Sequence, residues 1–190
     1  MAILEILTIP DSRLKRKSIK VENFDISLKK ITKDMFETLY FSGNGIGLAA
    51  PQVNIHKRII VMDLKIDGKN TPEIFINPHI TKTSSEKSKH EEGCLSIPDF
   101  YAEIKRPSII DVEWSNLEGN VNKETMTGLK AICMQHEIDH LNGILFIDYL
   151  SGLKKKMAIN KIKKKKKNKK KSSRTWGWFF WYVRIFSRIS

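Results

Sequence analysis

Apolar positions change their spacing along this chain, and the changes mark out its elements. Leu28, Ile31, Met35, Phe36, Leu39 and Tyr40 recur at helical spacing, which predicts an amphipathic helix from Leu28 to Phe41 with Ser27 capping its start. Gly43-Asn-Gly-Ile-Gly47 ends that helix and begins a loop, because glycine adopts backbone angles that other residues avoid. Two short segments rich in apolar residues follow, Arg58–Met62 and Ile74–Ile76, and read as buried strands with a turn at Asp67-Gly68. Residues 80–90 are polar and predict an exposed hairpin or loop. Ile104, Ile109, Ile110, Val112 and Trp114 predict further strands, with a turn at Glu118-Gly119-Asn120. A second long helix is predicted from Thr127 to Asn142, stopped by Gly143. Strands in the middle and helices outside them make the class α+β with a mostly antiparallel sheet.

At 190 residues the chain suits one domain with a single core. Its two cysteines, Cys94 and Cys133, are too few for a disulfide scaffold and read as thiols or metal ligands of a reducing compartment. The segment Met1–Pro10 is apolar but lacks a basic start and a small-residue cleavage site, so a cytoplasmic body is expected.

The net charge of +13 is unevenly distributed. Residues 152–190 carry 15 Lys and Arg and no acid, which leaves 19 bases against 21 acids in the rest. A slightly acidic body with a basic appendage argues against a nucleic-acid-binding fold with one basic face. A separate basic cluster at residues 12–20 predicts a solvated turn or short helix.

The strongest chemical signal is Gln135-His136-Glu137-Ile138-Asp139-His140, an H-E-x-x-H pattern. Residues four apart share one helical face, so His136 and His140 can present two imidazoles to one cation, with Glu137 beside them as a general base. Leu129, Ile132, Cys133 and Leu141 supply the apolar face a buried site needs. A third ligand must come from elsewhere. Glu91-Glu92-Gly93-Cys94-Leu95-Ser96 offers Cys94, although alone an inert core thiol is the plainer reading. Gly45-Ile46-Gly47-Leu48-Ala49-Ala50-Pro51-Gln52 lets backbone approach a ligand closely and has no Gly-Lys-Ser/Thr of a phosphate loop.

Together these three segments, in this order and spacing, resemble the three signature motifs of the peptide deformylases, and the similarity runs from about Ile3 to Leu153. The resemblance implies mostly antiparallel sheets packed around a central helix that carries H-E-x-x-H. It implies a metal-dependent hydrolase that takes the formyl group from the N-terminal formyl-methionine of new polypeptides. It implies that Cys94, His136 and His140 hold one divalent cation, ferrous iron first, with zinc or nickel as alternatives. Glu137 is then the catalytic acid and base, and the Gln52 amide and the Leu95 backbone N–H stabilise the oxyanion. Gly45, Ile46, Gly47, Ile132 and Cys133 are expected to bind the substrate, with Ser96 and Ile97 along the cleft. Glu92 and Arg106 are expected to form an ion pair that steadies the Cys94 segment.

The expected organisation is a catalytic domain over 1–153 and a flexible basic extension over 154–190. Within the extension, 12 lysines between Lys154 and Lys171 precede an aromatic run, Trp176–Val183, that the family does not share. The run fits a membrane-surface anchor, a contact with ribosomal RNA near the nascent chain, or an accidental terminus. The partners expected are formyl-methionyl nascent peptides and the ribosome, for a monomer in the cytoplasm. A broad metallopeptidase and a non-enzymatic RNA- or membrane-binding protein are the competing classes.

Overall fold

The computed structural model describes residues 2–43 and 45–167. Three helices occur among them: α1 (Ile26–Phe41), α2 (Gly128–Leu141) and α3 (residues 152–167). Seven strands run β1 (Gly47–Ala49), β2 (Ile59–Asp63), β3 (Pro72–Thr83), β4 (Lys87–Cys94), β5 (Ile97–Pro107), β6 (Ile109–Ser115) and β7 (Val121–Thr127). One sheet has the order β1-β2-β3-β6-β7 with every pair antiparallel, and β4 and β5 form a separate antiparallel hairpin. The expected α+β class with antiparallel sheets holds. No helix among the described residues is long and apolar enough to cross a membrane.

Side chains alternate faces along a strand, and both faces of β2 are covered. Ile60 and Met62 pack with Phe75 and with Met134 and Leu141 of α2. Ile59 and Val61 pack on the opposite side with Met35 and Leu39 of α1. All five β2 residues are therefore buried, which is why Ile59–Met62 reads as an unbroken apolar run before Asp63. A third core joins Leu7 and Ile9 of the N-terminal segment to Ile97 and Ile104 of the hairpin, Phe146, and Ala158 and Ile162 of α3. Helix α2 lies between these layers, and every side chain from Ala131 to Leu141 is buried.

Four expectations change. Helix α1 is capped by Asp25, whose carboxylate accepts from the backbone N–H groups of Ser27 and Leu28; Ser27 spends its own hydroxyl as a donor to that carboxylate at 2.6 Å. The polar stretch 80–90 is mostly strand, because one face of β3 and β4 is solvated and only ladder pairing orders it. The glycine segment becomes the edge strand β1 at Gly47, where Gly47 pairs with Met62. The boundary expected at 153/154 falls inside α3, whose Ala158 and Ile162 are buried, so a change in composition is not a change in packing. The aromatic run 176–183 lies outside the described residues.

Docking of α3 rests on few side chains. Ile162→Ala should lower unfolding free energy by about 2–4 kcal/mol in denaturant titrations, while Lys164→Ala at an exposed α3 position should stay within about 0.5 kcal/mol of the parent.

Candidate metal centre and active-site cleft

The H-E-x-x-H helix and the tight turn of the hairpin meet at one point. His136 and His140 sit one helical turn apart on α2, with ring centroids 5.0 Å apart and planes inclined at 73°. Cys94 is the last residue of β4, where it pairs with Ile97 across the two-residue turn Leu95-Ser96. Gly93 precedes it at an irregularity in the ladder, and a Cβ there would lie 2.5 Å from the Tyr101 ring. A residue without a side chain is needed for the strand to deliver Cys94 inward.

One ligand atom from each of Cys94, His136 and His140 lies within 4.8 Å of the others. Cys94 Sγ and His140 Nε2 are 3.2 Å apart. Tetrahedral bonds of about 2.3 Å to sulfur and 2.0 Å to nitrogen would set these atoms about 3.5 Å apart, so the residues fit a shared cation. Burial pushes the His140 imidazole well below the usual histidine range and keeps it in the neutral, ligating form. At His136 burial also opposes charge, but Cys94 and Glu92 outweigh it and raise its pKa well above the usual value. The negative charge gathered there is what a cation would meet.

The partners behind His136 are fully built. His136 Nδ1 lies 2.8 Å from Glu92 Oε2, which orients the ring and leaves Nε2 for the site. Arg106 grips the same Glu92 carboxylate with two donors, one of them Nη2 to Oε2 at 3.0 Å, and gives Nη1 to Asp139 Oδ2 at 2.8 Å. The expected Glu92–Arg106 pair is present and almost fully buried. Desolvation alone would raise Glu92, yet its bonds to His136 and Arg106 hold it below the ordinary glutamate value.

A cavity of about 490 Å³ opens beside this cluster. It collects nearly all the residues singled out from sequence: Gly45, Ile46, Gly47, Gln52, Cys94, Leu95, Ile97, Ile132, Cys133, His136 and Glu137. His140 and Ser96 are buried and do not line it. Glu137 is enclosed, and one of its carboxylate oxygens has no hydrogen-bond partner among the described residues. Burial pushes Glu137 up to about 7, against the pull of His136. Gly47 of β1 abuts it, since a Cβ there would lie 2.7 Å from Glu137 Oε1 and 2.8 Å from Cys133 Sγ. Cys133 is itself held as the thiol by burial.

The Gln52 amide is fixed at both ends. Its Oε1 accepts from the Ala49 N–H at 2.8 Å, and its Nε2 donates to Ser96 Oγ at 3.1 Å and lies 3.5 Å from Cys94 Sγ. Its donor end thus faces the cluster. Sequence reasoning missed the mouth of the cavity, where Tyr101 and Leu129 are more than half exposed; Leu129 forms rim, not buried face. It also missed Tyr149, whose hydroxyl donates to Asp139. Asp139 had a legible signal only in its place inside the H-E-x-x-H segment; Tyr149 had none.

Residues 3–156 match the family model described as polypeptide deformylase. A peptide deformylase of Zymomonas mobilis is 50% identical over 169 residues, covering 86% of this chain and 95% of that protein. The crystal structure of a peptide deformylase from Ehrlichia chaffeensis superposes with a TM-score of 0.83 at 44% identity, covering 88% of this chain and 99% of that one. A second structure from that organism, in complex with actinonin, gives 0.82 at 46% identity, covering 87% and 98%.

Metal analysis after gel filtration should find one divalent cation per chain. Cys94→Ala and His136→Ala should lose it, while Cys133→Ala, altered in the cavity wall alone, should keep it.

Proposed function

The chain belongs to the polypeptide deformylase family, and from that premise we propose how its residues divide the work. The reaction is the metal-dependent hydrolysis of the N-terminal formyl group of formyl-methionyl peptides, giving formate and a free amine. A divalent cation held by Cys94, His136 and His140 would supply Lewis acidity and make water acidic enough to yield its proton near neutral pH. The cation we propose is Fe2+, with Zn2+ or Ni2+ able to take its place, because thiolate and imidazole donors suit all three.

Glu137 takes the proton of the attacking water and returns it to the amide nitrogen as the C–N bond breaks. Its enclosure and its raised pKa support that role, since a carboxylate poised near 7 both accepts and releases a proton readily. Gln52 Nε2 and the Leu95 N–H donate to the developing oxyanion. The reading is favoured by a Gln52 amide whose orientation is already fixed by Ala49 and Ser96, so no reorganisation is needed as charge develops. Ile46, Ile132 and Cys133 form the apolar wall for the methionine side chain, and Gly45 and Gly47 let the peptide backbone come close. The carrying observation is the convergence of the three donor atoms, Glu137 and Gln52 on one cavity. We place the activity in the cytoplasm on nascent chains, with the lysine-rich α3 facing the ribosome; the reading of residues 172–190 as a membrane or RNA contact lies outside the described residues.

Protein prepared without oxygen should release formate from formyl-Met-Ala-Ser and leave the unformylated peptide intact; cleavage of the latter would point to a broad metallopeptidase. Glu137→Ala should lower kcat by about 100-fold or more while cation content is unchanged. Gln52→Ala should lower kcat by about 100- to 1,000-fold. Gly47→Ala should reduce kcat/KM by roughly 100-fold, because its new methyl displaces Glu137.

A further inference from the structure

Behind the His136 ligand the hydrogen bonds do not stop at Arg106. They continue through Asp139 to Tyr149, in the short 3-10 turn Phe146–Tyr149 that follows α2. The Tyr149 hydroxyl donates to Asp139 Oδ2 at 3.0 Å and Oδ1 at 3.1 Å. Asp139 Oδ2 accepts from Arg106 Nη1 at 2.8 Å, Arg106 Nη2 donates to Glu92 Oε2 at 3.0 Å, and Glu92 Oε2 lies 2.8 Å from His136 Nδ1. The Arg106 guanidinium also lies over the Tyr149 ring, 5.2 Å from its centroid. Tyr149 therefore touches the arginine twice, once through its face and once through Asp139.

This geometry has a mechanical consequence. Arg106 makes its bonds to Glu92 from Nε and Nη2, and its third direction, Nη1, is taken by Asp139. A planar guanidinium with both edges fixed cannot swing. Glu92 is then held in one pose, and so is the imidazole it orients. Asp139 lies on α2 between the ligands, but its carboxylate lines a second cavity, of about 270 Å³, together with Arg106, Gln135 and Tyr149. None of these four lines the substrate cavity. The far end of the chain of bonds thus opens into a cavity that shares no lining residue with the substrate cavity, and Tyr149 is half exposed there.

We propose that Tyr149 and Asp139 are positioning residues for the metal centre: by clamping the free edge of Arg106 they fix Glu92 and set the orientation and donor strength of His136. They touch neither substrate nor reacting atoms. The proposal rests on Cys94, His136 and His140 being the metal ligands, and a cobalt stoichiometry of one in the parent protein checks that reading separately.

The test uses the full chain loaded with Co2+. Tyr149→Phe removes only the hydroxyl and keeps the ring under Arg106; Asp139→Asn keeps shape and removes the charge. Cobalt release to a chelator should be roughly 3-fold faster in Tyr149→Phe and roughly 10-fold faster in Asp139→Asn, by comparison with outer partners of other metal sites. The thiolate-to-cobalt absorption band should shift in both, and kcat should fall with KM little changed. A double-mutant cycle then tests the route. In a Glu92→Gln background, Tyr149→Phe should add no further change in release rate. If Glu92→Gln binds no cobalt, the same cycle is run on Arg106→Lys. Unchanged release and an unchanged band in both single variants, with only a lower melting temperature, would mean a merely structural pair and overturn the proposal. Additive effects in the cycle would overturn it as well.

Discussion

A helix enclosed on every side must find a partner for each polar side chain it carries. Between Ala131 and Leu141, α2 carries Gln135, His136, Glu137, Asp139 and His140, all buried. Leaving such a group unpaired is destabilising by roughly 1–3 kcal/mol, and more for a charge. Gln135 meets the carbonyls of Ala131 and Pro107; His136 and Asp139 meet Glu92, Arg106 and Tyr149. The buried side-chain atoms of α2 left without a partner among the described residues are Glu137 Oε2 and His140 Nδ1. Glu137 lines the cavity, whereas His140 Nδ1 is the ring nitrogen opposite the one that lies beside Cys94. Every other buried polar side chain of α2 is paired.

This constraint explains the layers around it. The sheet supplies an apolar wall through Ile60, Met62 and Phe75, where α2 presents Met134 and Leu141. The β4–β5 hairpin supplies the polar wall, and two of its charged residues, Glu92 and Arg106, are nearly as buried as the core. Breaking a pair of this kind from one side is destabilising by on the order of 3–5 kcal/mol, since it strands the other charge. The sheet approaches α2 so closely that glycine is required at Gly47, against Glu137 and Cys133, and within the hairpin Gly93 leaves room for the Tyr101 ring.

What sequence could reveal follows from which interactions are local. The His136–His140 pair is one turn of helix and is legible from spacing alone. The buried strand β2 announces itself because both faces are apolar. Cys94 has no local signal; only its resemblance to a known motif separates it from an inert thiol such as Cys133, which the structure indeed places in the cavity wall. Asp25 displaced Ser27 as the α1 cap because a carboxylate two residues earlier can accept two backbone N–H groups together. Residues 80–90 read as an exposed hairpin or loop because strands with one solvated face carry little apolar pattern. Tyr149 was invisible because its partner lies ten residues away, on another element. The lysines of α3 masked the two small apolar contacts that dock it.

The pairing of Cys94 with the α2 histidines has a meaning beyond the site. Cys94 and His140 are 46 residues apart in sequence, yet their donor atoms lie 3.2 Å from each other. Bringing such distant points of an open chain together opposes folding by on the order of 3–4 kcal/mol of loop-closure entropy. Strands β5, β6 and β7 all lie inside that loop. A chain in which any of them has yet to settle holds two imidazoles in register and no thiolate to join them. The centre therefore exists only where the long-range topology between β4 and α2 is complete.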